Sequence, residues 1–131
     1  MAEAGLQRIL YVEDEPDIQA VAQIALETVG GFTLKAFSTG QEAITHAEAF
    51  NPDLLLLDVM MPGMDGPSTL AKLRELPALA DTPVIFMTAK VQPQEVEHFK
   101  ALGAIDVIAK PFDPMTLSSQ LEQSWRRCNE R

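Results

Sequence analysis

Leu54-Leu55-Leu56-Leu57-Asp58 is the stretch whose reading decides the fold. Four successive aliphatic residues leave no polar face, and they are bounded by Asn51-Pro52-Asp53 before and Met61-Pro62-Gly63 after. A short, punctuated apolar run of this kind is a strand buried on both faces, as in a parallel sheet covered by helices. Open α/β sheets bind ligands beyond the carboxyl ends of their strands. Asp58, the first charge after the leucines, therefore stands where such a fold does its chemistry.

Working outward, strands and helices alternate. Residues 8–12 form a first strand, and apolar spacing through Ile18, Val21, Ala22, Ala25, Leu26 and Val29 predicts a helix over 16–29 that ends at Gly30-Gly31. Residues 32–37 make a second strand, followed by a helix with Ser38 as N-cap and Gln41 as the return arm of a capping box. Beyond the leucine run, a helix over about 67–76 stops near Pro77, and 83–88 is a fourth strand. A helix from Pro93 to Leu102-Gly103 leads to a short fifth strand over 106–109, and Asp113 caps a last helix with Pro114 at its first position. Five such units with right-handed crossovers give a doubly wound, three-layer α/β sandwich.

Composition excludes several classes of function. The 131 residues suit one domain, 1–131, with a core over about 7–127. Apolar residues are 47% and charged residues 22% of the chain, without repeats or low-complexity tracts, so disorder and solenoids are excluded. Ten basic against nineteen acidic side chains leave a net charge of -9, which repels nucleic-acid phosphates and anionic lipid. The N-terminus has neither a basic region nor an apolar signal segment, and no apolar run reaches the roughly 18 residues of a membrane span, so a cytoplasmic protein is expected. The single cysteine, Cys128, has no internal disulfide partner and no visible catalytic neighbours.

The strand ends carry the chemistry. Strand one delivers Glu13-Asp14-Glu15, strand three Asp58, strand four Thr88-Ala89-Lys90, and strand five Lys110-Pro111-Phe112. Carboxylates converging on one cleft take up protons unless a cation compensates them. All-oxygen ligands without Cys or His select a hard ion, and two or three carboxylates suit Mg²⁺, which keeps several waters. Thr88 adds a hydroxyl and Lys110 a point charge, the groups that hold the oxygens of a phosphoryl group moving onto a carboxylate nucleophile. The chemistry expected is phosphoryl transfer onto Asp58.

The Tyr-Val-Glu-Asp-Glu-Pro cluster, the Leu-Leu-Asp-Val-Met-Met-Pro-Gly-Met-Asp-Gly block, Phe-Met-Thr-Ala and Lys-Pro-Phe together resemble a bacterial response-regulator receiver domain with the CheY-like, flavodoxin-like fold. Each motif alone is weak; four at the ends of strands one, three, four and five are specific. The resemblance covers almost the whole chain and implies the strand order 2-1-3-4-5. It implies that Asp58 accepts a phosphoryl group from the phosphohistidine of a sensor histidine kinase or a histidine phosphotransfer protein. It also implies that Asp14 and Asp58 ligate Mg²⁺, that Glu13 acts through a metal-bound water, and that the Met60 carbonyl is a further ligand. Thr88, Ala89 and Lys110 would contact the phosphoryl oxygens, with a cis peptide between Lys110 and Pro111. The chain is then no enzyme in the ordinary sense, but a signalling domain that assists its own phosphorylation and dephosphorylation.

One departure from the family pattern stands out. Where many receivers place a Tyr or Phe whose rotamer follows phosphorylation, three residues before the lysine, this chain has Val107. A valine is short and stiff at χ1, so Thr88 and Val107 cannot switch by swinging an aromatic ring, and output is expected from the loop after strand four and from helix four. Met60 and Lys90, two positions beyond Asp58 and Thr88, influence by family resemblance how fast water attacks the acyl phosphate. Neither is an obvious general base, so slow self-dephosphorylation is expected.

Plainer readings accompany several residues. His46 and His98 fall within helical patterns as exposed side chains, Met60, Met61 and Met64 read as loop packing, Pro62, Gly63 and Gly66 as loop-shaping residues, and Trp125 as an anchor or an exposed interface residue. A flavodoxin-type cofactor carrier needs a Gly-rich or hydroxyl-rich first loop, and Glu13-Asp14-Glu15 would repel its phosphate. A phosphohydrolase of the haloacid dehalogenase type resembles a pattern with a second Asp where Met60 stands. A receiver-like module that binds its partner regardless of phosphorylation is the remaining alternative. Whether the chain is a stand-alone receiver or a piece of a longer regulator, and which kinase and downstream protein it meets, stay open here.

Overall fold

The computed structural model describes residues 5–61 and 63–129. β1 (Arg8–Val12), β2 (Thr33–Phe37), β3 (Leu54–Asp58), β4 (Val84–Thr88) and β5 (Ala104–Ala109) form one sheet in the order β2-β1-β3-β4-β5. Every pairing is parallel. The helices are α1 (Pro16–Gln23), α2 (Gly40–Phe50), α3 (Gly66–Arg74), α4 (Pro93–Ala101) and α5 (Leu117–Asn129). Helix α1 continues as a π-helical segment, Ile24–Val29, closed where Gly30 N donates to Ala25 O at 3.1 Å. The helical reading of 16–29 is thus right in extent, while its second half is wound more loosely. Gly31 then takes φ 76°, the left-handed conformation that glycine adopts without strain, and turns the chain into β2.

All five residues of β3 are buried, as its unbroken apolar run requires. Its side chains alternate between two cores. Leu54 and Leu56 join Ile9, Tyr11 and Met87 against α1 and α5. Leu55 and Leu57 join Leu10, Val12 and Phe86 against α2, α3 and α4. Trp125 packs against the first core and donates its Nε1 proton to Asp53 O at 3.1 Å, which makes it the anchor of α5 to the start of β3.

Boundary corrections have local causes. The N-cap of α2 is Thr39, one residue beyond Ser38; its Oγ1 accepts from Glu42 N at 3.1 Å, and Glu42 Oε1, in place of Gln41, accepts from Ser38 N at 3.2 Å. β5 begins two residues early, at Ala104, because Gly103 (φ 110°) ends the α4 turn abruptly and an irregularity in register then absorbs Ile105. Asp113 does cap, but it accepts Met115 N on Oδ1 at 2.9 Å and holds a turn, so α5 proper starts at Leu117 and not at Pro114. Helix α3 ends at Arg74, and a 3-10 turn, Pro77–Leu79, follows. Among the described residues no helix is long and apolar enough to cross a membrane.

Candidate functional site

The order β2-β1-β3-β4-β5 brings the ends of β1, β3 and β5 to one edge. Glu13 N extends the sheet ladder by donating to Phe37 O at 3.0 Å, and Gln19 Nε2 reaches back from α1 to Glu13 O at 3.0 Å and Phe37 O at 3.3 Å. The turn after β1 is thereby pinned, with Pro16 starting α1 immediately behind it. At the end of β3, Val59 N donates to Met87 O at 2.9 Å, and the following loop returns so closely that Gly66 N donates to Val59 O at 3.0 Å. Lys110 N donates to Thr88 O at 2.9 Å, which sets the end of β5 against the end of β4.

Four charged side chains meet there. Lys110 Nζ lies 3.1 Å from Glu13 Oε1 and 3.1 Å from Asp58 Oδ1. Ligand oxygens of Glu13, Asp14 and Asp58 lie within 4.8 Å of one another. Glu13 is fully buried and Asp58 is 2% exposed. Glu13 Oε2 also accepts from Glu15 N at 3.2 Å. Burial first, and then the Asp58 charge, push the Glu13 carboxyl up to about 7, against the opposing bond from Lys110. Burial likewise raises Asp58, with Asp14 adding to it, although Lys110 bonds and charge act the other way. Burial alone would lower Lys110, but its bonds to Glu13 and Asp58 prevail and hold it above the ordinary lysine value.

One lysine thus answers three clustered carboxylates, and the electrostatic conflict is only half resolved. A hard divalent cation would resolve it. The oxygen-only donor set, with Asp14 partly exposed and open to water, fits Mg²⁺.

The other expected residues are placed as follows. Thr88 ends β4 at 3% exposure, and its Oγ1 accepts from Lys90 N at 3.1 Å, within its own turn. Ala89 is exposed beside it. The Met60 side chain is 70% exposed, whereas Met61 is buried in the core on the α2, α3 and α4 face. Val107 is half-buried on that face, opposite Phe86, which in turn tilts against Phe99 with ring centroids 5.2 Å apart. The Lys110–Pro111 peptide is cis. His46 and His98 are exposed, and His46 stacks on Phe37. The loop-shaping reading of Gly66 is supported by a close approach: a Cβ there would stand 2.6 Å from Asp58 O. The reading of Pro62 lies outside the described residues.

Sequence reasoning passed over Gln19 and Tyr11. The bonds of Gln19 span up to 18 positions and leave no local signature. Tyr11 was legible, as a polar tip two residues before Glu13 on the same face of β1.

Residues 9–122 match the response regulator receiver domain family. The chain belongs to that family. The receiver is 36% identical over 121 residues to the DNA-binding response regulator MtrA of Mycolicibacterium smegmatis, covering 92% of this chain and 51% of that protein. It spans about half the length of the curated relatives it matches. Among solved structures it resembles the chemotaxis protein CheY4 of Vibrio cholerae, with TM-score 0.83 and 28% identity over 92% of this chain and 99% of that one. It also resembles the BeF3-activated DrrB receiver domain, with TM-score 0.77 and 27% identity over 93% of this chain and 99% of that one. The protein is therefore a receiver domain of two-component signal transduction with the CheY-like fold.

Proposed function

We propose that Asp58 is the phosphoacceptor of this receiver, loaded in an Mg²⁺-dependent reaction from the phosphohistidine of a sensor kinase or phosphotransfer protein. The observation that carries this reading is the sharing of Lys110 between Asp58 and Glu13 beside Asp14. A bound Mg²⁺, held by Asp14, Asp58 and the Met60 carbonyl, with Glu13 acting through water, would neutralise charge on the transferring group. An Asp58 carboxylate oxygen attacks phosphorus, the P–N bond to the donor imidazole breaks, and the electron pair leaves with the imidazole. Lys110 turns from the carboxylates to a phosphoryl oxygen, and Thr88 exchanges its bond to Lys90 N for a second phosphoryl contact, next to Ala89. Lys110 holds Asp58 in place and partly offsets its negative charge.

We read residues 1–131 as a single cytoplasmic receiver domain with a core over about 7–127, whose downstream partner is a protein or output domain. A groove of about 440 Å³ between α1 and the turn after β5 supports docking of the phosphoryl donor beside the site. It is lined by Asp17, Ile18, Val21, Lys110, Pro111 and Phe112, so it touches Lys110 directly.

The test is intact-mass analysis after incubation with acetyl phosphate, with and without Mg²⁺, on wild type and Asp58→Asn. A metal-dependent gain of one phosphoryl group that is absent from the variant supports the reading. No gain in wild type under any condition overturns it in favour of a module that binds regardless of phosphorylation.

A further inference from the structure

Tyr11 is the one tyrosine of the chain, and it is fully buried one residue before the end of β1. Its ring belongs to the core against α1 and α5, but its buried hydroxyl makes no hydrogen bond of ordinary geometry among the described residues. Buried hydroxyls are normally satisfied, and an orphan calls for a partner that arrives in another state of the molecule. Strand alternation puts Tyr11 and Glu13 on the same face of β1. The proximity is also felt electrically: burial first, then the charges of Glu13 and Asp58, and last a hydrogen-bonding interaction with Glu13 itself hold Tyr11 ionisation far above its ordinary range, although the hydroxyl and the carboxylate stop short of ordinary hydrogen-bond geometry. Glu13 has acceptor capacity to spare, since a carboxylate offers about four lone-pair sites and Glu13 uses one on each oxygen, for Lys110 Nζ and Glu15 N.

Resting on the receiver reading above, we propose that Tyr11 is a positioning residue for Glu13, its hydroxyl donating to the Glu13 carboxylate when Lys110 leaves that carboxylate for a phosphoryl group on Asp58. Glu13 is fully buried and would otherwise lose the Lys110 bond, the one side-chain hydrogen bond of ordinary geometry that it accepts among the described residues. A single donor on the same strand replaces the lost bond without any movement of the backbone, and it keeps the carboxylate oriented toward a metal-bound water. Partners of this kind, one shell behind the ligands, orient a metal site and tune its affinity. The Tyr11 hydroxyl that makes no ordinary hydrogen bond and the Glu13 lone pair that Lys110 gives up are the two halves of one hydrogen bond.

The experiment uses the whole chain. Tyrosine labelled with ¹³C at Cζ gives one signal, because there is one tyrosine. It is recorded metal-free, with Mg²⁺, and with Mg²⁺ plus beryllofluoride. In parallel, Mg²⁺ affinity, beryllofluoride affinity and metal-free melting temperature are measured for wild type and Tyr11→Phe. The expected results are a Cζ shift on adding beryllofluoride, a loss of affinity for Mg²⁺-beryllofluoride in the variant of about tenfold, and a metal-free melting temperature no lower than wild type. An unmoved signal, or a variant that binds beryllofluoride as wild type does, overturns the proposal and leaves Tyr11 as core packing alone. If Tyr11→Phe does not fold, the labelled wild type decides by itself. Failure of wild type to bind either Mg²⁺ or beryllofluoride would instead overturn the receiver chemistry on which the proposal rests.

Discussion

Lys110 Nζ stands 3.1 Å from Asp58 Oδ1 and also 3.1 Å from Glu13 Oε1, so a single partly buried cation is divided between two carboxylates. Its side chain is 16% exposed and theirs are 3% and 0%, which places the pair beyond the screening that makes surface ion pairs weak. Replacing Lys110 by Ala removes both the resting partner of Asp58 and the positive charge for the phosphoryl oxygens. Phosphorylation by acetyl phosphate, followed by intact mass at saturating Mg²⁺, is expected to slow by about 100-fold or more, the magnitude typical of losing one preorganised charge-stabilising group. A variant that loads at the wild-type rate would remove Lys110 from the reaction.

The raised Glu13 carboxyl makes metal-free stability depend on pH. In the folded state Glu13 titrates near 7 against an ordinary 4.5. The folded chain therefore binds more protons than the unfolded chain between these values. By linkage its contribution to stability is full below about 4.5 and is lost as pH rises through about 7. In EDTA, Glu13→Gln is expected to flatten the melting-temperature profile between pH 5 and 8 and to melt about 3 °C or more above wild type at pH 8, where wild type carries the buried charge. A wild-type profile that rises toward pH 8 as steeply as that of the variant would contradict this. Mg²⁺ at ten times its dissociation constant should return about 1.4 kcal/mol to wild type at pH 8.

Gly66 is required by space. A Cβ at this position would sit 2.6 Å from Asp58 O and 3.0 Å from Val59 Cα, both backbone atoms that cannot swing aside. Gly66→Ala is expected to destabilise by about 1–3 kcal/mol in urea unfolding, the range for overpacking, and to weaken phosphorylation through displacement of Asp58. Gly5→Ala, whose Cβ meets nothing within 4 Å, is the matched control and should be neutral.

Val107 has no ring to swing, and it packs half-buried against the core that holds the Phe86 and Phe99 pair. The Mg²⁺-beryllofluoride complexes of wild type and Val107→Ala are expected to show the same backbone change in the Thr88-Ala89-Lys90 turn and α4, read from amide NMR shifts. Loss of that change in the variant would mean that the short side chain at 107 does transmit the signal.

Met60 and Lys90 are both exposed beside the site, and neither is an obvious general base for water. The phosphorylated protein should therefore lose phosphate slowly, with a rate that changes on substitution at either position. Fast release, indifferent to both residues, would refute this.

How much was legible in the chain follows the range of each interaction. The leucine run told of a doubly buried strand because burial on both faces is written in consecutive residues, and all five residues of β3 are buried. The five units and the placement of Glu13, Asp14, Asp58, Thr88 and Lys110 at strand ends were readable for the same reason. Caps and element ends were less so. Ser38 and Thr39 are both good capping residues, and only the bonds to Glu42 distinguish their places. The end of α1 hid its π-helical winding, since apolar spacing over two turns barely distinguishes the two forms.

By itself the sequence determined the elements, their alternation and the residues at each strand end, because these rest on contacts between near neighbours in the chain. The tertiary structure alone decided that Lys110 bridges partners 97 and 52 positions away, that burial carries Glu13 to about 7, that Gly66 must pass within contact of Asp58 O, and that the buried Tyr11 hydroxyl makes no hydrogen bond of ordinary geometry among the described residues. Those facts depend on strand order, register and depth of burial, which set distances between residues that the chain itself keeps far apart.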